Sequence, residues 1–431
     1  MGGSSRRPIA VDVFSGAGGL SLGFEQAGFD VVAAIEYDPI HAIAHRYNFP
    51  NCEVLCRDVR NISGPDVRAA AARGFKRIYP SLSWPGAIDA LIGGPTCQGF
   101  STGGLREKDD ERNDLLLEFV RLVEALKPRT FCFENVPGLL EQRFASFREM
   151  ALQRLRDAGY IVTGGDSWLN AADYGVPQSR KRVIVMGVLD GPAADLPFAT
   201  EAGAKVKDAF EGLPVIEDYS ALLKSDVTTL RAADQARRVS IKSSYAAELA
   251  GLNAAADAIW RPLEISNSLR TVHSPEVIKR FYGTPTGTVE KVSRLYRLDN
   301  DSLARTLRAG TGRERGAHTS PRPIHPELPR VITVREAARL HSFPDWFRFN
   351  GTNWHGHRQV GNSVPPALAR AVAGKLIERL DVSNASPNGR RVGPLGDEAW
   401  RTISPSAAAT ILGAQDSELP AQRSRPIGMD R

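Results

Sequence analysis

From residue 8 to about 189, short apolar runs alternate with amphipathic stretches. Ile9–Phe14, Val31–Ile35, Ile88–Ile92, Thr130–Glu134 and Arg182–Val188 are rich in Val, Ile, Leu, Ala and Phe. Each has the length and continuity of a buried strand. Leu20–Ala27, Leu115–Leu126 and Phe144–Ala158 instead space their apolar residues for a helix. Strands alternating with helices predict an α/β fold built on a doubly wound, mostly parallel sheet. Residues 62–85 fit neither pattern and read as a surface insertion. Past residue 190 the pattern changes. Pro, Gly and Thr become frequent, the candidate strands shorten and arginines accumulate, which marks a second, smaller domain over 190–350. Residues 351–381 return to the first domain, 8–189. Residues 1–7 read as a disordered lead, and 382–431, polar and rich in breakers, as a disordered tail.

The most informative turn is Gly93-Gly94-Pro95-Thr96-Cys97-Gln98-Gly99-Phe100-Ser101. Neither flank of Cys97 can continue a helix or a central strand. Its thiol therefore sits on a turn after the strand Ile88–Ile92, where open α/β sheets place their chemistry. A thiol in that position is read as a nucleophile before it is read as packing. A second turn, Phe14-Ser15-Gly16-Ala17-Gly18-Gly19, joins strand to helix with bare backbone, the start of a nucleotide-type cofactor site. Glu36 follows the next strand, about twenty residues past Gly16, where an acid can hold ribose hydroxyls. Ser21 breaks the dinucleotide G-x-G-x-x-G spacing, so the glycines alone leave the cofactor open.

Together these runs closely resemble the cytosine-C5 DNA methyltransferase family, prokaryotic type. That family pairs a Phe-x-Gly-x-Gly-Gly loop for S-adenosylmethionine with a Pro-Cys-Gln loop carrying the nucleophile. Its other signatures follow in the family's order. Phe133-Glu134-Asn135-Val136 is similar to its Glu-Asn-Val motif, and Gln178-Ser179-Arg180-Lys181-Arg182 to its Gln-x-Arg-x-Arg motif. Arg335-Glu336-Ala337-Ala338-Arg339-Leu340 with Phe343-Pro344 resembles the motif ending the recognition domain. Arg358-Gln359-Val360-Gly361-Asn362-Ser363-Val364-Pro365-Pro366 resembles the last motif. The likeness runs from about Ile9 to about Leu376. One position departs: Thr96 stands where the family usually has proline, which loosens the loop before the thiol.

The resemblance implies a Rossmann-like, S-adenosylmethionine-dependent methyltransferase with a target-recognition domain. It implies Cys97 as the nucleophile at cytosine C6 and Glu134 as the group that assists at N3. Arg180 and Arg182 fall on one face of a strand by period two, where they would hold the cytosine carbonyl and a phosphate. The implied cofactor residues are Phe14, Gly16, Ala17, Gly18, Gly19, Glu36, Tyr37, Asp58, Val59, Asn362, Ser363 and Val364. Gln98 and Ser101 would follow the DNA as the Cys97 loop closes. Arg308 and Arg313 belong to an Arg-rich stretch in 294–330 that would grip phosphates and read base edges. The cytosine must be flipped from the stack to be reached.

Composition narrows this little. With 55 basic and 49 acidic residues the net charge is +6, compatible with a polyanion partner without establishing one. No apolar run reaches membrane-spanning length and no secretory apolar stretch follows the start. The cysteines Cys52, Cys56, Cys97 and Cys132 show no disulfide framework, so a reducing cytoplasm is expected. His41 and His45 with Cys52 and Cys56 have loose metal-ligand spacing, and the expected role of all four is packing, with no metal. The expected partner is double-stranded DNA, the expected state a monomer, and a cognate restriction endonuclease or other defence system a candidate associate. Two alternatives stay open. One is an RNA (tRNA) cytosine-C5 methyltransferase, although the Cys-Phe-Thr signature of that branch is missing. The other is a catalytically decayed DNA-binding relative, against which the retained Cys97, Glu134, Arg180 and Arg182 argue.

Overall fold

In the computed structural model the apolar runs lie side by side as strands. The structure describes residues 6–95, 114–199, 203–252, 263–310, 322–380 and 395–414. Its first half contains β1 (Ile9–Val13), α1 (Gly19–Ala27), β2 (Asp30–Ile35), α2 (Pro39–Asn48), β3 (Glu53–Leu55), α3 (Gly64–Ile78) and β4 (Ala90–Gly93). There follow α4 (Asp114–Leu126), β5 (Thr130–Asn135), α5 (Ala145–Asp157), β6 (Tyr160–Gly164), β7 (Leu169–Asn170), β8 (Gln178–Ser179) and β9 (Lys181–Leu189). The main sheet has the order β3-β2-β1-β4-β5-β9-β6, with β7 also paired to β9. Pairing is parallel from β3 to β5 and antiparallel around β9.

Both faces of β1 and β2 are covered, which is why their sequences carry no polar alternation. Period two divides β1 between two cores. Ile9, Val11 and Val13 join α3, α4 and α5 through residues such as Phe75, Phe119 and Leu155. Ala10 faces the opposite core, with Phe24 of α1 and Leu368 and Val372. Chain order runs outward from β1 in both directions, so the crevice between the C-terminal ends of β1 and β4 is the sheet's switch point.

The rest of the chain is built from shorter pieces: α6 (Val206–Phe210), β10 (Thr228–Thr229), α7 (Ala232–Val239), α8 (Ser244–Leu249), β11 (Glu264–Ile265), α9 (Pro275–Tyr282) and β12 (Ala304–Arg305). They enclose two small cores, one around Tyr219 and Leu222, the other around Phe281 and Ile324. β12 pairs with β8, and Leu298, Ala304 and Leu307 join the large core. This interval is thereby fastened to the sheet domain. α10 (Val334–Leu340), α11 (Asn353–Asn362) and α12 (Pro366–Ile377) follow, and α12 lies along α1.

Two expectations are corrected. The stretch 62–85 is not a surface insertion but contains α3. Ser63 caps that helix in a reciprocal capping box with Asp66, and its Val67, Ala70, Ala71 and Phe75 are buried. The tail beyond 381 is not uniformly disordered. Glu398–Arg401 forms a short helical turn and Pro405–Leu412 forms α13, packed on Ile40 and Ile43 of α2. Among the described residues no helix is long and apolar enough to cross a membrane.

Candidate active site

The chain leaves β1 through Phe14, held at φ 63°, and Gly16, at φ 55°. Ser15 N–H donates to the Ile35 carbonyl at 3.1 Å, and Gly18 N–H to the Ser15 carbonyl at 3.0 Å. The loop therefore folds back over the strand ends and starts α1 at its Gly18 cap. A side chain at Gly16 would enter open space, so bare backbone faces a cleft there. Phe14 is half-buried beside it, while Ala17 is buried in the core beneath.

Glu36, at the end of β2, faces the same loop. Its Oε2 accepts from Gly16 N–H and its Oε1 from Asp38 N–H, each at 2.8 Å. Both bonds fix the carboxylate and leave it further lone pairs for a ligand. Burial raises its pKa above the ordinary carboxylate value. Tyr37, 39% exposed, follows directly.

Asp58 and Val59 lie past β3, but not as expected. Both Asp58 oxygens are taken by Arg60, with Nη2 at 2.6 Å from Oδ2. Burial would raise the Asp58 pKa, but Arg60 holds it below the usual value. Val59 turns its side chain into the core, and its carbonyl accepts from Arg121.

The far wall of the cleft comes from the end of α11 and the segment after it. Ser363 and Val364 are buried, and Asn362 is exposed. A Cβ on Gly19 would lie 2.4 Å from the Val364 carbonyl and 2.9 Å from Ser363 Cβ. Glycine at 19 is what lets this segment close on the Gly-rich loop.

Glu134, one residue before the end of β5, forms an ion pair with Arg182 of β9, both mostly buried. Its Oε2 lies 3.4 Å from the place a Cβ on Gly94 would occupy. Asn135 Nδ2 donates to the Pro95 carbonyl at 3.4 Å. The strand carrying Glu134 thus holds the chain at the point where it enters the Cys97 turn. Cys97, Gln98, Ser101 and Arg313 lie outside the described residues.

Arg180 departs from its expected role. It is 2% exposed, and its guanidinium donates to the carbonyls of Leu307 at 3.0 Å and of Gly361 and Ser363 at 2.9 Å each. Nη1 and Nη2 clamp backbone of the closing wall instead of facing a cytosine. Period two did put Arg180 and Arg182 on one face, but Arg180 sits deeper. Gln178 and His341 complete the clamp, although the sequence reading gave them no role. Gln178 Nε2 meets His341 Nδ1 at 2.9 Å, and His341 Nε2 meets the Ser363 carbonyl at 2.8 Å. Arg308 is exposed, with its backbone against Gly361, so it stands beside this wall.

The four metal-spaced residues have other occupations. Buried His45 contacts Ser21 Oγ at 3.0 Å, and Ser21 Oγ donates to Asp12 Oδ2 at 2.5 Å. His41 is buried on α2, and Cys52 and Cys56 lie in the core. Among the described residues no group of three or more His, Cys, Asp or Glu side chains could hold a metal ion.

The family model of the C-5 cytosine-specific DNA methylases matches residues 10–378. The Type II methyltransferase M.XorII of Xanthomonas oryzae pv. oryzae is 44% identical over 98% of this chain and 96% of its own. The Type II methyltransferase M1.HphI of Haemophilus parahaemolyticus is 33% identical over 85% and 86%. Among solved structures, a prophage-encoded chain from E. coli assigned as a DNA modification methyltransferase superposes with a TM-score of 0.68. It is 34% identical and covers 87% of this chain and 99% of its own. The S. pombe Dnmt2 methyltransferase, 18% identical with a TM-score of 0.52 over 86% and 99%, shares the fold. The Gly-rich loop, the Glu134–Arg182 pair and the family match over most of its length agree: the chain belongs to the C-5 cytosine-specific DNA methylase family.

Proposed function

We propose that the chain transfers a methyl group from S-adenosylmethionine to C5 of a flipped-out cytosine in a specific duplex DNA sequence, through a covalent adduct between Cys97 and C6. The observation that carries this reading is the Glu134–Arg182 pair, set beside Gly94 at the start of the Cys97 turn. It shares its sheet edge with the Gly16–Glu36 cleft.

The cleft fits the cofactor. Glu36 is fixed by two backbone N–H groups and can accept from ribose hydroxyls. The open backbone at Gly16 lets the methionine part approach, and Phe14 and Tyr37 offer rings to the adenine. Asn362, Ser363 and Val364 close the wall, and Asp58 can reach the adenine edge once Arg60 moves aside. When bound, S-adenosylmethionine supplies an electrophilic methyl group.

Cytosine C5 is too weak a nucleophile to take that methyl unaided. The Cys97 thiolate adds to C6, while Glu134, having taken up a proton from solvent and loosened its pair with Arg182 as the base enters, donates that proton to N3 as charge builds on the ring. C5 is then enamine-like and reacts. Solvent water takes the C5 proton, the thiolate leaves C6, and N3 returns its proton to the Glu134 carboxylate, so one proton is released for each methyl transferred. Arg182 orients Glu134 through the ion pair and can reach the cytosine carbonyl oxygen.

Residues 190–350 serve as the target-recognition domain, with Arg308 and Arg313 on the DNA side. The Type II names of the relatives support a modification role beside a restriction endonuclease. The chain works as a cytoplasmic monomer. Tritium transfer from labelled cofactor to duplex DNA and, separately, to tRNA tests the substrate. Label on DNA alone supports the reading, label on tRNA alone replaces it with RNA methylation, and label on neither marks a decayed relative.

A further inference from the structure

Residues 395–414 lie beyond the span matched by the family model, which ends at 378, and none of the residues placed in the cofactor cleft is among them. Yet they are packed at two places far apart in sequence. On one side they cover α2, the helix that begins just after Glu36 and Tyr37. Trp400, Ile403 and Leu412 pack with Ile40, Ile43 and Ala408. Tyr47 OH donates to Glu398 Oε1, and Gly396 N–H to the Tyr47 carbonyl at 3.0 Å.

On the other side the same segment enters the interval read as the recognition domain. Arg401 forms an ion pair with Asp226, and both residues are more than nine-tenths buried. Asp226 also accepts from Asn267 N–H at 3.2 Å, and its carbonyl accepts from Ser268 N–H at 3.0 Å. Gly351 N–H donates to the Arg401 carbonyl at 2.7 Å. The backbone between the two sides is gripped from α2 as well. Asn48 Oδ1 accepts from Arg348 N–H at 2.9 Å, and Asn48 Nδ2 donates to the Arg348 carbonyl at 2.7 Å.

We propose that residues 395–414 are a brace, with Arg401 as its positioning residue, that locks the recognition interval to the cofactor wall through Asp226 and α2. This couples cofactor binding to target-DNA binding and sharpens sequence selectivity, and it rests on the methyltransferase reading above. The physical reason is the buried ion pair. Arg401 also pairs with Glu398 of its own segment at 3.0 Å, so opening the joint leaves Asp226 as the unpaired buried charge, and that cost makes the joint either made or broken. α2 starts at the ribose-binding acid, and Asp226 belongs to the region that would meet DNA. A ligand that favours the made joint at one end therefore favours it for the other, and by linkage the two effects are equal.

The test uses the full chain and its target duplex, mapped beforehand by bisulfite sequencing of DNA from expressing cells. The affinity for S-adenosylhomocysteine is measured by calorimetry with and without that duplex. In the wild type the duplex should tighten it by about fivefold or more. Arg401→Met keeps the apolar stem and removes the charge. It should bring that ratio to near one while leaving affinity without DNA within about twofold, and it should raise methylation at sites one base from the target. Asp226→Asn should do the same, the double variant should be no worse than either single, and Arg401→Lys should restore part of the ratio. A merely structural role would lower the melting temperature and weaken both affinities while leaving their ratio intact. Tyr47→Phe removes one hydroxyl from the other end and should lower the ratio even if the buried-pair variants do not fold. A wild-type ratio of one, or an unchanged ratio in Arg401→Met and Tyr47→Phe, overturns the brace. A wild type that transfers no methyl to duplex DNA overturns the function first, and the coupling with it.

Discussion

Replacing Arg180 by methionine removes the guanidinium and keeps most of the stem. Three backbone carbonyls, those of Leu307, Gly361 and Ser363, then lose a charged donor. Ser363 keeps His341 Nε2 at 2.8 Å, so two carbonyls carry the main loss. An orphaned buried carbonyl costs about 1–3 kcal/mol, and relief from burying a charge offsets part of the sum, so the net loss is about 2–4 kcal/mol of stability. The carbonyls belong to the wall that closes on Gly19, so cofactor affinity should fall with stability. Urea unfolding gives the first quantity from the midpoint at constant slope, and calorimetry with S-adenosylhomocysteine gives the second. A variant with wild-type midpoint and wild-type cofactor affinity, but with turnover abolished, would refute the reasoning. It would return Arg180 to the cytosine, where the sequence motif alone puts it.

Other perturbations follow from the same geometry. Glu36→Ala should lose about 1.5–3 kcal/mol of cofactor affinity if its ribose bonds are charge-assisted; calorimetry showing no change would remove Glu36 from the site. Because burial raises the Glu36 pKa, wild-type cofactor affinity should fall as pH drops through that raised value, and Glu36→Gln should flatten the profile. Burial lifts Asp12 to about 7. The folded chain then holds a proton that the unfolded chain has released, so Asp12 makes stability fall as pH rises from about 4 to 7. Asp12→Asn should remove that slope from urea midpoints measured across the window. Gly19→Ala places a Cβ 2.4 Å from the Val364 carbonyl. Backbone must yield there, at about 1–3 kcal/mol, with weaker cofactor binding by calorimetry. Exchanging residues 190–330 for those of a relative with another target should move methylation to the relative's site, as read by bisulfite sequencing. An active chimera that keeps the original site would place recognition on residues 98–112.

The parallel strands were legible because burial on both faces leaves a run such as Val31–Ile35 with no polar residue to obscure its length. α3 was missed although Arg68–Arg73 are strong helix formers, because Gly64, Pro65 and Gly74 break the run around them. Gly74 sits mid-helix, where a Cβ would fall 1.8 Å from the Val32 carbonyl, so close packing on the sheet requires the residue that propensity disfavours. Its start was nonetheless visible in Ser63 and Asp66, a capping-box spacing with Pro65 between them. Pro405–Leu412 was likewise hidden by a polar surrounding. Its Ser404 cap and Gly413 stop mark a helix, but nothing in sequence says that Ile40 and Ile43 wait to cover it. At the site, motif order located Glu36, Glu134 and Arg182 at strand ends. What it could not convey was depth. Arg180 and Arg182 look equivalent along the strand, and only the packing of residues 307 and 361–363 from distant parts of the chain buries one and leaves the other beside Glu134. Asp58 illustrates the same limit, since Arg60 occupies its carboxylate two residues away.

The covalent step is tested most directly with duplex DNA in which 5-fluorocytosine replaces every cytosine, incubated with the wild-type chain and S-adenosylmethionine. Fluorine at C5 cannot leave as a proton does, so the adduct persists after methyl transfer. Proteolysis and mass spectrometry should find the fluorinated, methylated base attached to the peptide containing Cys97, with no adduct from Cys97→Ser, which should still bind the duplex. Methylation of ordinary DNA by Cys97→Ser at near wild-type rate, or an adduct on another residue, would contradict the assignment of Cys97 as the nucleophile.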